Sequence, residues 1–364
     1  MSCTSNDKEA MTVTTTDLDK LLGRATSINR SFRLKRSKSV RYSDEQYFEL
    51  VTFLSVQNAA AEDGSGILNT TRPVPGSDAL LQQLKKLSVD EVEAQFDRVL
   101  DKQFVQVFGK NRRPKGVAII DVHEQETYTK EKRTSPDVRG GKHKNGTNYF
   151  FHFATIQFLA KDEVVTMGVR LHRRGESLRE VVAELVRRVL RYANIRALLL
   201  DRGFRDVTIF NELEFLGVPV LMPAFSDERT RKALASMWWY ARRWSFCNAK
   251  CEYADVMLLR VELPDGKIVG FYTTIRGTRW RRTAYFVKLY KRRWTIETGY
   301  RVQNEFLART TCIKGVVRLF YFSYAVVLHN VWLRLRSIIT TVHLTVKRLK
   351  YMLLCDFLGA TEIT

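Results

Sequence analysis

Between Arg276 and Arg301 nine basic residues accompany a single acid, Glu297. A carboxylate in so basic and aromatic a stretch has two readings. Arg293 and Arg301 lie four residues to either side, so Glu297 is on one reading an ordinary ion-paired helix residue. On the other, the cations hold phosphates and the acid holds a metal. Two further acids are unusually placed. Asp121 closes the apolar run Gly116-Val117-Ala118-Ile119-Ile120, and Asp201 closes Ala197-Leu198-Leu199-Leu200. An acid ending a buried strand emerges at the carboxyl edge of its sheet, where open α/β folds place their sites. Taken singly, either is equally well a capping or turn residue. Together, three carboxylates from separate segments suit phosphodiester chemistry. Two Mg²⁺ ions roughly 3.5–4 Å apart activate an attacking oxygen and stabilise a leaving one, and Mg²⁺ prefers hard oxygen ligands. None of the six histidines has a convincing partner. No phosphate-binding glycine loop followed by Lys and Ser/Thr is present, which argues against nucleotide hydrolysis.

The elements that must position these acids follow from periodicity. Tyr290, Arg293, Glu297, Arg301 and Asn304 are spaced 3, 4, 4 and 3 residues apart, which predicts one face of a long helix beginning after Arg282. Asp121 and Asp201 belong to predicted strands. Tyr149 to Leu159 and Glu163 to Leu171 are rich in β-branched and aromatic residues and read as strands too, with the basic, glycine-rich Arg139 to Gly146 as the loop before them. Ser177-Leu178-Arg179-Glu180 reads as a capping box opening a helix with Val181, Val182, Leu185, Val186, Val189 and Leu190 on its apolar face. A helix over about Val207 to Phe215 and a strand over Val218 to Met222 follow. The expectation is an α/β fold, a mixed sheet covered by helices. Between Phe225 and Ile275 the pattern is interrupted by Trp238, Trp239 and Trp244, then by two strands flanking the hairpin signal Pro264-Asp265-Gly266. Upstream, residues 44–114 read as helical, with a capping box at Ser88-Val89-Asp90-Glu91, and form a probable DNA-binding domain.

Charge narrows the partner. Sixty Lys and Arg against 39 Asp and Glu in 364 residues give a formal net charge of +21, which favours a polyanion and above all nucleic acid. Seven basic residues and no acid lie between Arg24 and Arg41, a candidate phosphate-binding arm within residues 1–43. Arg309 to Tyr351 also lacks acids. The first 20 residues are polar, and the longest apolar stretch, Leu319 to Leu333, contains His329 and Asn330, so neither a leader nor a spanning helix is expected. Five scattered cysteines imply no disulfide framework. Cys247 and Cys251 lack the second pair that a zinc site needs. A reducing, cytoplasmic location is expected.

Two local motifs bring a family into view. Leu200-Asp201-Arg202-Gly203-Phe204 resembles the D-x-G-F block around the second acid of insertion-sequence transposases. Tyr290-x2-Arg293-x3-Glu297 resembles the Y-R-E part of their Y-x2-R-x3-E-x6-K signature. The order Asp, Asp, Glu resembles the DDE transposases and their ribonuclease-H-like core, over about Lys115 to Ile339. The resemblance implies a catalytic core in two parts, 115–224 and 276–364, split by a β-rich insertion at 225–275. It implies that Asp121, Asp201 and Glu297 bind two Mg²⁺ ions, with Mn²⁺ as a possible substitute. Tyr290 and Arg293 would position transposon-end phosphates, and Trp238, Trp239 or Trp244 would stack on an unpaired or flipped base. The signature's final Lys falls on Asn304, and Arg301 or Arg309 is the candidate replacement. The partners implied are transposon-end and target DNA, with a homodimer in the DNA complex, in a prokaryotic, nucleoid-associated setting. The rivals are a ribonuclease-H-like nuclease that never joins strands and a non-catalytic DNA-binding remnant.

Overall fold

A computed structural model describes residues 30–35, 41–110, 113–129, 133–276, 283–339 and 343–359. Most of the basic arm and Arg279, Arg281 and Arg282 lie outside them. The central strand is β1 (Lys115–Glu126). Its side chains alternate between two cores: Val117 and Ile119 enter one, Ala118 and Ile120 the other, as strand geometry requires. Gly116 starts this run because its backbone passes close to the neighbouring strand at Leu159. A Cβ there would sit 2.3 Å from the Leu159 carbonyl oxygen.

β1 pairs antiparallel with β3 (Thr147–Ala160), which pairs antiparallel with β4 (Glu163–Leu171). On its other side β1 pairs parallel with β5 (Asn194–Leu199), and β5 parallel with β6 (Val220–Pro223). Three antiparallel strands followed by two parallel ones make the expected ribonuclease-H-like mixed sheet. The stretch after residue 225 extends this same sheet. After helix α7 (Glu228–Ser236), strands β7 (Ala241–Cys247), β8 (Tyr253–Glu262) and β9 (Ile268–Thr273) continue the order β6-β9-β8-β7. The β8–β9 turn uses Gly266 at φ 77°, a left-handed conformation that suits glycine. Arg139 to Lys144, expected as loop, is instead strand β2 on the outer edge of β3. Five of its six residues are exposed, so no apolar alternation marks it.

Helices cover both faces. On one lie α5 (Leu178–Tyr192) and α6 (Val207–Phe215), with Val181, Val182, Leu185, Val186 and Val189 buried against the sheet. Ser177 is the N-cap of α5, but its side chain makes no capping bond. On the other face one core joins the N-terminal helices α1 (Asp44–Gln57), α2 (Ala61–Leu68), α3 (Ser77–Lys85) and α4 (Val89–Phe108) to α10 (Gly315–Ile338) and α11 (Val346–Phe357). The Ser88–Glu91 capping box at the start of α4 forms as expected. α10 is long and apolar enough to cross a membrane, the one such helix among the described residues, yet 78% of its apolar window is buried inside the fold. Asn330, which interrupts its apolar run, bonds Gln103 and the Thr166 backbone within that core.

The long helix expected after Arg282 is two. α8 (Thr283–Lys291) and α9 (Trp294–Asn304) are separated at Arg292-Arg293 by a tight turn. There the amides of Arg292 and Arg293 bond carbonyls only three residues back, a 3₁₀ pattern that shifts the helical phase. No Pro or Gly marks the break.

A buried charge cluster ties α4, β4 and α5 together. Arg170 forks onto both oxygens of Asp97 at 3.0 and 2.8 Å and reaches Glu184 at 2.7 Å and Glu93 at 3.5 Å. Arg188 reaches Asp97 at 2.6 Å and Asp101 at 2.7 Å.

Candidate active site

Parallel pairing of β1 with β5 sets Val117 against Ala197, Ala118 against Leu198 and Ile119 against Leu199. Each pair is 80 residues apart, which is also the separation of Asp121 and Asp201. The register, carried two residues past the last pair, brings Asp121 beside Asp201, and the charge of Asp201 acts on the Asp121 carboxyl. On β1, Asp121 lies on the same side as Ile119, which faces the α10 core. Adjacent strands are about 4.8 Å apart. The 80-residue spacing is thus the strand register itself.

Asp121 marks the point where β1 passes from buried to partly exposed residues. Asp201 stands two residues after the end of β5. Its side chain accepts the Gly203 amide at 2.8 Å and caps the short turn Arg202–Phe204. Position 203 is tight: a Cβ would lie 3.0 Å from Asp201 Oδ1. The cap and the site reading thus meet in one residue.

Glu297 arrives in the first turn of α9. Arg293 Nη1 lies 3.6 Å from Asp121 Oδ2, and Arg293 Nη2 pairs with Glu297 Oε1. The ordinary i,i+4 pairing of Glu297 is therefore present, and the same guanidinium carries it to Asp121. Tyr290, at the end of α8, donates its hydroxyl toward the Leu200 carbonyl at 3.4 Å, one residue before Asp201. Its ring centroid lies 5.9 Å from the Arg293 guanidinium carbon.

Burial pushes the Asp121 carboxyl up to about 6; Arg293 opposes this, while Asp201 and Glu297 reinforce it. Burial likewise raises the Tyr290 hydroxyl to about 12, leaving it a neutral donor. Three carboxylates therefore face one guanidinium, an excess of negative charge around a mostly buried Asp121. That donor set of hard oxygens fits a divalent cation. As they stand, no three Asp, Glu, His or Cys side chains among the described residues are gathered closely enough to hold one, and Arg293 lies between two of the acids.

Tyr300, which the sequence reading passed over, supports the site from beneath. Its hydroxyl donates to the Asp121 carbonyl at 3.1 Å and lies 2.6 Å from Thr155 Oγ1. The signal was its spacing, three residues after Glu297 on the same helix. Arg301 and Asn304 are exposed further along α9, Asn304 about 10 Å beyond Glu297 by helical rise. Trp244 departs from its expected role. It is 8% exposed, packed in the core with the Arg229 guanidinium 4.4 Å from its ring, so it has no face free for a base. Trp238 and Trp239 are exposed, with ring centroids 4.7 Å apart, and so is Trp294 at the start of α9.

The family model for the transposase DDE domain matches residues 99–328, from within α4 to within α10. The chain belongs to the DDE transposase family. No curated protein matches it. Transposases of this family act on DNA and generally use divalent metal ions, which agrees with the acid excess around Asp121. The matched span includes all three acids and the buried arginines Arg170 and Arg188.

Proposed function

We propose that this transposase cleaves the ends of its insertion sequence and joins the freed 3′-OH ends to target DNA. The observation that carries the reading is the convergence of Asp121, Asp201 and Glu297 from β1, the end of β5 and α9 about one arginine. These acids are the ones to hold two Mg²⁺ ions, with Mn²⁺ as substitute. Such ions would activate the attacking oxygen and stabilise the leaving one.

The chain's own residues do the rest. Tyr300 fixes the backbone at Asp121, and the Gly203 amide fixes the Asp201 carboxylate. Arg293 balances Asp121 and Glu297 and turns to an approaching phosphate, for which its planar fork of donors is suited. Tyr290 offers a neutral hydroxyl to the same strand. Arg301 and Asn304 extend this face along α9. Of the three tryptophans considered for stacking, Trp238 and Trp239 offer the platform. Two ends must meet, so the working unit is a homodimer on DNA, in the cytoplasm of a prokaryote.

The test is a strand-transfer assay with Mg²⁺ on DNA carrying the element's ends. Cut ends joined to target are expected. Cutting without joining would make the chain a nuclease, and binding without cutting a remnant.

A further inference from the structure

Strand β2 has no part in the site above, yet it is the most exposed strand of the sheet. Its sequence is Arg139-Gly140-Gly141-Lys142-His143-Lys144. It pairs only with β3, Arg139 against Phe150 and Lys144 against Thr147, with a register shift between Gly140 and Lys144. Arg173 and Arg174, which follow β4, are brought to its start. Arg139 donates to the Arg173 carbonyl at 2.6 Å, and Arg174 to the Val138 carbonyl at 3.2 Å. Cations from two segments thus form one ridge. The acids around it are partly used: Glu126 accepts from Asn145 and lies 3.9 Å from Lys144, Glu124 lies against Gly141 and 3.9 Å from His152, Asp137 accepts the Gly315 amide, Glu176 accepts the Arg173 amide, and Asp90 lies 3.8 Å from Arg173.

Position gives the ridge meaning. On β3, Phe150 pairs with Glu126 on β1, and Thr155 pairs with Asp121. β2 therefore stands beyond the carboxyl end of β1, five residues past Asp121 along the strand. It is two strands across and about five residues along, on the order of 20 Å from the acid by strand spacing and rise. That distance is about six base-pair steps of a duplex.

We infer that the β2 edge is a phosphate-binding ridge for duplex DNA of unspecified sequence, which in transposition is the target. Point charges on Lys142 and Lys144 contact backbone rather than reading bases. Gly140 leaves its side of the strand open, while Gly141 makes room for the Phe150 ring, where a Cβ would lie 3.0 Å away. The end-binding residues proposed above lie instead on α8 and α9. The inference rests on the proposed function for the word target, but not for the binding itself.

The competing explanation is edge protection, since lysines on an exposed edge strand also block pairing with another sheet. Lys142→Ala combined with Lys144→Ala separates the two, in the full chain, with random-sequence duplex as probe. Each phosphate contact contributes about 0.9 to the slope of log affinity against log salt. The double variant should lose about 2 from that slope, and strand transfer should fall about tenfold while end cleavage is unchanged. An unchanged slope overturns the inference, whether or not the chain cuts DNA. Equal loss of end cleavage and transfer also overturns it, because the ridge would then hold the element's end. A chain that never cuts, yet shows the slope change, overturns the proposed function and leaves this DNA-binding surface standing.

Discussion

Two clusters in this protein use the same side chains to opposite ends. In one, Arg170 and Arg188 meet Asp97, Asp101, Glu93 and Glu184 between α4, β4 and α5. In the other, Arg293 alone meets Asp121 and Glu297, with Asp201 alongside. The first cluster forks one arginine onto both oxygens of Asp97, and its two guanidiniums are 5% and 2% exposed. It is a closed knot that fixes three elements. The second lies where the parallel strands run out and stays partly open, with the Glu297 side chain 35% exposed. A buried arginine–carboxylate pair therefore does not mark a site; a partly open set of acids at the carboxyl ends of parallel strands does.

The contrast breaks most sharply on substitution. Asp121→Asn should lower metal-dependent end cleavage by about 10³- to 10⁵-fold, since several kcal/mol of transition-state stabilisation depend on the ligands. Its unfolding midpoint should change little. Asp97→Ala should do the reverse. Leaving Arg170 and Arg188 buried without that partner costs about 3–5 kcal/mol, read by urea denaturation, while cleavage per folded molecule is kept. If Asp97→Ala abolished cleavage in a stable protein, the two clusters would not be distinct.

A smaller effect sharpens the role of Arg293. Arg293→Ala removes a charge-assisted contact worth about 1.5–3 kcal/mol, so affinity for end DNA should fall about 10- to 100-fold by filter binding or anisotropy. Divalent-ion affinity without DNA should hold or rise, because the competing guanidinium is gone. The smallest effect is with pH. A cation needs the Asp121 carboxylate ionised, and its carboxyl protonates near 6 in this setting. Protons and metal then compete. Mn²⁺ affinity measured by calorimetry should be level above about pH 7 and fall up to tenfold per unit below about 6. The knot around Arg170 should show no corresponding metal binding.

Much of the site was legible before the fold. The apolar runs ending in Asp121 and Asp201 gave the strands, and the isolated acid Glu297 gave the third group. The 80-residue spacing carried the β1–β5 register, though only the paired strands reveal it. What escaped the sequence has physical causes. The helix break at Arg292-Arg293 uses 3₁₀ bonds and no Pro or Gly, so periodicity ran straight through it. β2 has no buried face, so it lacked a strand's alternation. Trp244 and the exposed Trp238 and Trp239 look alike in sequence, and only tertiary packing sorts them. The Arg170–Arg188 knot joins residues up to about 90 positions apart, beyond the reach of local pattern.

The most direct test is anomalous scattering from crystals of the protein–DNA complex grown with Mn²⁺. The account expects density about 2.1 Å from carboxylate oxygens of Asp121, shared with Asp201 or Glu297, and Arg293 turned from the acids to a phosphate. Mn²⁺ bound elsewhere, with Arg293 still joining Asp121 to Glu297 in a complex that cuts DNA, would contradict it.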